Sequence, residues 1–143
     1  MATITKYSLG LKNQYNGVAV VDYDTDTIKV ALVTSSYTPS QAHDFFNDVT
    51  NEVTGTNYPA GGITLTSKTL TESSGTITFD ADDVTCATGG TTFNNARIAV
   101  LYKSTGVSST SPLIGYIDFG SDKGNAASDL ILQWHASGIF TVS

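Results

Sequence analysis

From Ile28 to its last residues the chain repeats one local pattern: a short run with apolar side chains at alternate positions, closed by glycine, serine, asparagine or aspartate. A period of two is the period of a β-strand, because successive side chains point to opposite faces of the pleat. The clearest run sets Ile28, Val30 and Leu32 between Thr27, Lys29 and Ala31, which predicts a strand with one face on a core. Ile63 and Leu65 alternate with threonines after Gly61-Gly62. Ser73-Ser74-Gly75 then separates that stretch from Thr76-Ile77-Thr78-Phe79, a hairpin whose loop carries the glycine it needs. Ala96–Tyr102 and Leu113–Phe119 are further strands, joined by Ser104–Ser111, a Ser/Thr/Gly segment expected to be exposed and mobile. Asp129–Trp134 and Ile139–Val142 flank a turn at Ala136-Ser137-Gly138, so the C-terminus is expected to be tied into a sheet.

About seven strands at this spacing predict a mostly β fold, an antiparallel β-sandwich or a small jelly-roll-like barrel, rather than parallel βαβ units. The length, 143 residues, suits one domain over residues 1–143. Two short helices fit between the strands. Tyr7, Leu11 and Tyr15 recur at helical spacing before Asn16-Gly17, and Thr38-Pro39-Ser40 can cap a helix that carries Phe45, Phe46 and Val49. Residues 1–20 are expected to serve as an N-terminal arm or helix in assembly.

Charge narrows the function. The net charge is -6, and the basic residues Lys6, Lys12, Lys29, Lys68, Arg97, Lys103 and Lys123 are scattered, so no patch matches a phosphate backbone. Direct nucleic-acid binding is not expected. A single cysteine, Cys86, allows no internal disulfide, and stability must come from the core or from oligomerisation. The N-terminal MATITKYSLG has neither a basic region nor an apolar one of signal-peptide type, and no run reaches membrane-span length, so neither secretion by such a signal nor membrane insertion is expected.

Asp22, Asp24 and Asp26 alternate as in a calcium-binding EF-hand loop, but that loop needs glycine and glutamate where this chain has Thr27 and Val33. Aspartates that accept hydrogen bonds from nearby amides favour turns, and this is the expected role here and in Asp80, Asp82 and Asp83. His43, His135 and Cys86 lack the spacing of a metal motif. Asp118-Phe119-Gly120 spells a kinase triplet with none of the companion signatures. No nucleophile, base and orienting group stand at recognisable spacing, so no catalytic residue, metal or cofactor is expected. Among the aromatics, Phe79, Tyr102, Phe119 and Trp134 alternate with aliphatic residues and belong to the core. Tyr15, Tyr23, Tyr37 and Tyr58 fall in loops or at element ends and are the candidate partner contacts.

Several blocks carry a likeness of their own: DTDTIKVALVTSSYTP (Asp24–Pro39), HDFFNDVTNEVTGTNY (His43–Tyr58), AGG (Ala60–Gly62), FDADDVT (Phe79–Thr85), AVLYKSTG (Ala99–Gly106) and SPLIGYIDFGSDK (Ser111–Lys123). Together they resemble a family of small structural proteins encoded among the virion genes of tailed bacteriophages, whose pattern carries a tryptophan where this chain has Cys86. The resemblance runs from about Asp22 to the terminus. It implies a non-enzymatic capsid or tail component, assembled in the bacterial host cytoplasm and located in the virion. The expectation taken forward is a head decoration (cement) protein that acts as a homotrimer on the major capsid protein or another virion protein. A neck, tail or fibre component, or a carbohydrate-binding module for host attachment, is the alternative.

Overall fold

In the computed structural model of the protein the described residues are 4–143, so the first three residues of the expected arm lie outside them. The strands are β1 (Thr5–Lys6), β2 (Ile28–Val33), β3 (Ile63–Thr64), β4 (Thr69–Ser73), β5 (Thr76–Asp80), β6 (Val84–Ala87), β7 (Ala96–Lys103), β8 (Leu113–Lys123), β9 (Leu130–Leu132) and β10 (Phe140–Val142), with one α-helix, α1 (Ser8–Tyr15). The fold is mostly β, as the alternation predicts. A five-stranded sheet has the order β1-β8-β7-β2-β3, a three-stranded sheet the order β10-β5-β4, and a two-stranded sheet pairs β6 with β9. Every strand pairing is antiparallel.

The centre of the large sheet is buried on both faces, which corrects the expectation of a single covered face for β2. Ile28, Val30 and Leu32 join Phe79, Val84, Cys86, Leu101, Ile117 and Trp134 in the main core. The intervening Ala31 and Val33 face a second layer with Tyr7, Tyr37, Ile98, Val100, Tyr102 and Leu113. Each fully buried aliphatic side chain stabilises the fold by about 1.5–3 kcal/mol, so two covered faces roughly double what one strand contributes.

The second expected helix, over residues 38–49, is absent. Only a 3-10 turn, Phe46–Asp48, occurs there. The backbone of this stretch is used to start β8: Leu113 N donates to Asp44 O, Phe46 N donates to Ser111 O, and Phe45 bridges Pro112. Those groups are then unavailable for helical bonds. Phe46 stacks on Tyr102 with ring centroids 3.9 Å apart, so the helical spacing of the phenylalanines serves the sheet surface instead.

The N-terminal segment is also not a free arm over its described length. β1 pairs with β8 at Thr5↔Tyr116 and Lys6↔Gly115, Ile4 packs on the main core, and Tyr7 is fully buried. Helix α1 forms where the Tyr7, Leu11, Tyr15 spacing places it. Gly10 weakens it intrinsically, but a Cβ there would collide with the Leu113 carbonyl. Close approach of the helix to β8 therefore depends on that glycine.

Candidate interaction surface

The four tyrosines singled out from the sequence have different fates. Tyr15, the last residue of α1, is 77% exposed. Tyr23 is half-buried: its ring lies 4.9 Å from Phe79 and 5.4 Å from Phe140, and its hydroxyl donates to Gln14 Oε1. Tyr37 and Tyr58 are buried, which corrects their assignment as partner contacts. The Tyr37 hydroxyl lies 2.8 Å from that of Tyr7 and 2.9 Å from His43 Nδ1. The Tyr58 hydroxyl accepts from Leu32 N and donates to Glu52 Oε1. Both side chains spend their polar tips inside this chain, which is what lets a tyrosine lie in a core. Burial pushes the Tyr7 and Tyr58 hydroxyls far above the usual tyrosine range, and it pushes Tyr23 and Tyr102 up to about 12.

Tyr15 belongs to a larger exposed surface at the end of the large sheet where β2 begins and β7 ends. Val18, Val20 and Val107 are also well exposed there. The backbone holds them in place. Ala19 N donates to Asn13 O, Ser104 N donates to Thr27 O, and Lys103 Nζ reaches both Val20 O at 3.0 Å and Asp26 Oδ2 at 2.8 Å. Burial opposes ionisation of Asp26, but the Lys103 hydrogen bond and the Asp22 amide outweigh it and hold the carboxyl below its ordinary value. Between the segment 18–20 and Phe45, Thr105, Thr110 and Pro112 lies a cleft of about 220 Å³. Segments 13–21 and 104–110, which carry these exposed side chains, contain no charged residue, and the Lys103–Asp26 pair is the charge beside them. Depletion of charge around exposed apolar groups is the composition of an interface core. The sequence does not single out Val18 and Val20, and only the tertiary structure shows that they are uncovered.

Residues 105–110 are exposed, as expected, while Ser111 is buried and the hydroxyls of the segment bond one another. Thr105 Oγ1 lies 2.6 Å from Thr110 Oγ1 and 3.1 Å from Ser111 Oγ, and Ser111 Oγ donates to Val107 O.

The cluster of Asp22, Asp24 and Asp26 is a turn, whereas Asp80 ends β5 and Asp82 and Asp83 lie in the connection to β6 and bond distant segments, which corrects the turn expected there. Asp24 N and Thr25 N donate to Asp22 Oδ1, and Asp22 N donates to Asp26 Oδ2. Asp82 Oδ2 accepts from Ser67 and Thr66, while Asp83 Oδ1 accepts from Trp134 N, so this pair ties the entry of β6 to the chain beyond β9. Among the described residues no three His, Cys, Asp or Glu side chains converge on a common point that could hold a metal. None of the described buried side-chain nitrogens or oxygens lacks a hydrogen-bond partner, so no orphaned polar group is aimed at a ligand.

A second cleft, of about 460 Å³, opens between β8 and β9. Leu32, Cys86, Ile117 and Leu132 form its floor, with Asp118, Lys123 and Gln133 among its lining residues. Burial pushes the Cys86 thiol up to about 11, so it stays protonated and poorly nucleophilic at neutral pH. The cleft is apolar packing space with charges beside it rather than a pair of acid and base groups. No described helix is long and apolar enough to cross a membrane.

Comparison with protein-family models, with curated proteins and with solved structures finds no match.

Proposed function

We propose that this chain is a non-enzymatic structural protein of a tailed-bacteriophage virion, and within it a head decoration protein that cements neighbouring capsid subunits as a homotrimer. The blocks that carry the family resemblance supply β2, most of β7 and all of β8, so the likeness concerns the framework of the fold. The observation that carries the proposal is that Tyr15, Val18, Val20 and Val107 are exposed on two segments without charged residues, 13–21 and 104–110, in a chain of net charge -6. Such a surface suits permanent contact with protein, and a capsid offers the same contact at each local three-fold axis. Even a small patch then binds firmly, because each subunit raises the effective concentration of the others.

Imaging of the assembled virion tests the proposal directly. Density for this chain on the capsid lattice, in groups of three, is the expected result. Its presence in tails separated from heads, at the copy number of a ring or a fibre, overturns the decoration role. Specific binding on a glycan array that depends on exposed residues of this chain would favour host attachment instead.

A further inference from the structure

Strand β4 is the longest described strand that stands at the end of a sheet, although residues 117–123 of β8 also run past its pairing with β1. β4 has five residues, against two each in β1 and β3, four in β6 and three each in β9 and β10. All five are exposed, and no described strand pairs with its outer side. Open edges are usually blunted by lysine or proline within the strand, by a bulge or by a covering loop. β4 has no proline, bulge or covering loop, and its one charge within the strand is Glu72: its sequence is TLTES, and its register with β5 runs unbroken from Thr69↔Asp80 to Ser73↔Thr76.

The hairpin geometry settles which groups face outward. Ser74 and Gly75 both have positive φ, 51° and 84°, the pattern of a two-residue type I′ turn. The flanking pair Ser73↔Thr76 is then hydrogen-bonded, and bonding alternates along the ladder. Thr69, Thr71 and Ser73 therefore use their backbone groups on β5, whereas Leu70 and Glu72, with Lys68 just before the strand, present theirs to the open side. These outward positions read Lys68, Leu70, Glu72. The order is self-complementary: an antiparallel second copy centred on Leu70 places Leu70 opposite Leu70, and Lys68 opposite Glu72 on each side.

We propose that β4 is a docking edge for a second copy of this chain, joined in that two-fold register. Three hydrogen-bonded pairs form, on the order of six backbone bonds. The two Lys68–Glu72 contacts counter the repulsion between chains of net charge -6. Lys68 makes no ion pair among the described residues, so its charge is available. Glu72 uses one oxygen to accept from Gly75 N. Pairing also extends the sheet face on which Leu70, Ile77 and Val142 stand partly exposed. A contact of this size is weak in dilute solution and becomes effective where copies are crowded together. It does not depend on the virion assignment.

Charge reversal tests the register. Sedimentation equilibrium of the full chain over a range of concentrations should show a two-fold association step that weakens as salt rises. Lys68→Glu and Glu72→Lys should each weaken that step at least about tenfold, because each sets like charges opposite one another in two places. The double variant Lys68→Glu/Glu72→Lys should restore it. Thermal melts at low concentration separate loss of docking from loss of folding: Lys68→Glu should match the parent, and both variants that replace Glu72 should show the same small drop from loss of the Gly75 bond. A chain without a two-fold step overturns the proposal. So does a step that neither single reversal moves, or one that the double variant fails to restore.

Discussion

Tyr7 and Tyr37 meet through their hydroxyls at 2.8 Å, fully inside the second core layer, although 30 positions separate them in the chain. This contact fastens the strand–helix segment at the N-terminus to the stretch that follows β2. Tyr7→Phe keeps the ring and loses the bond, which should cost about 1 kcal/mol in urea unfolding. Tyr7→Ala should cost about 3–5 kcal/mol, because it also leaves a cavity beside Val33, Val100 and Leu113. Equal, near-zero effects would mean that the N-terminal segment behaves as a detachable arm after all.

Gly62 has φ +88°, and a Cβ on it would run into the Val30 carbonyl of the central strand. Gly62→Ala should therefore destabilise by about 3 kcal/mol or more. Gly75 has a similar φ, +84°, with nothing within 4 Å of its would-be Cβ. Gly75→Ala should cost only about 1 kcal/mol, the strain of the turn by itself. Parallel thermal melts of the two variants check the difference.

The buried tyrosines make the fold sensitive to alkali. Tyr7, Tyr58, Tyr23 and Tyr102 all have hydroxyls raised by burial from an ordinary value of 10.0, the last two to about 12. In this range the folded chain holds protons that the unfolded chain releases, so stability falls as pH rises. The contribution of Tyr23 and Tyr102 is fully present below pH 10.0 and is lost between there and about 12. A pH titration that follows phenolate absorbance together with circular dichroism should show ionisation of these tyrosines coinciding with unfolding. Their ionisation while the fold persists would contradict the burial.

Chelation should change little. Asp22 accepts from the amides of its own turn and Asp26 holds Lys103. EDTA is therefore expected to leave the Tm within about a degree or two, and a large drop reversed by calcium would mean that an ion stabilises the folded state.

Val18 and Val20 are 64% and 60% exposed, so Val18→Asp and Val20→Asp should leave the Tm nearly unchanged, as surface substitutions do. Under the proposed decoration role they should reduce occupancy on purified capsids, because a carboxylate would have to be desolvated in the contact. Unchanged occupancy would place the contact surface elsewhere on the chain.

Sequence alone determined the elements whose signal is local. β2, β7 and β8 follow from alternating side chains, the hairpin turn at Ser74-Gly75 from its glycine, and α1 from aromatic and aliphatic spacing before Asn16-Gly17. The run at Ile63 and Leu65, read as the hairpin's first strand, instead supplies β3 beside β2 and leaves β4 to pair with β5. A strand's period and a turn's need for positive φ are properties of neighbouring residues. What those residues are packed against is not. Phe45, Phe46 and Val49 have helical spacing, yet their backbone is claimed by β8 across the sheet. Tyr37 and Tyr58 sit among polar turn residues, and only distant partners, Tyr7 for one and Leu32 with Glu52 for the other, supply the hydrogen bonds that allow their burial. Val18 and Val20 alternate as core residues do and remain exposed because no described element covers them. Tertiary structure decided these cases because burial is a relation between segments far apart in the chain, and local periodicity carries no record of it.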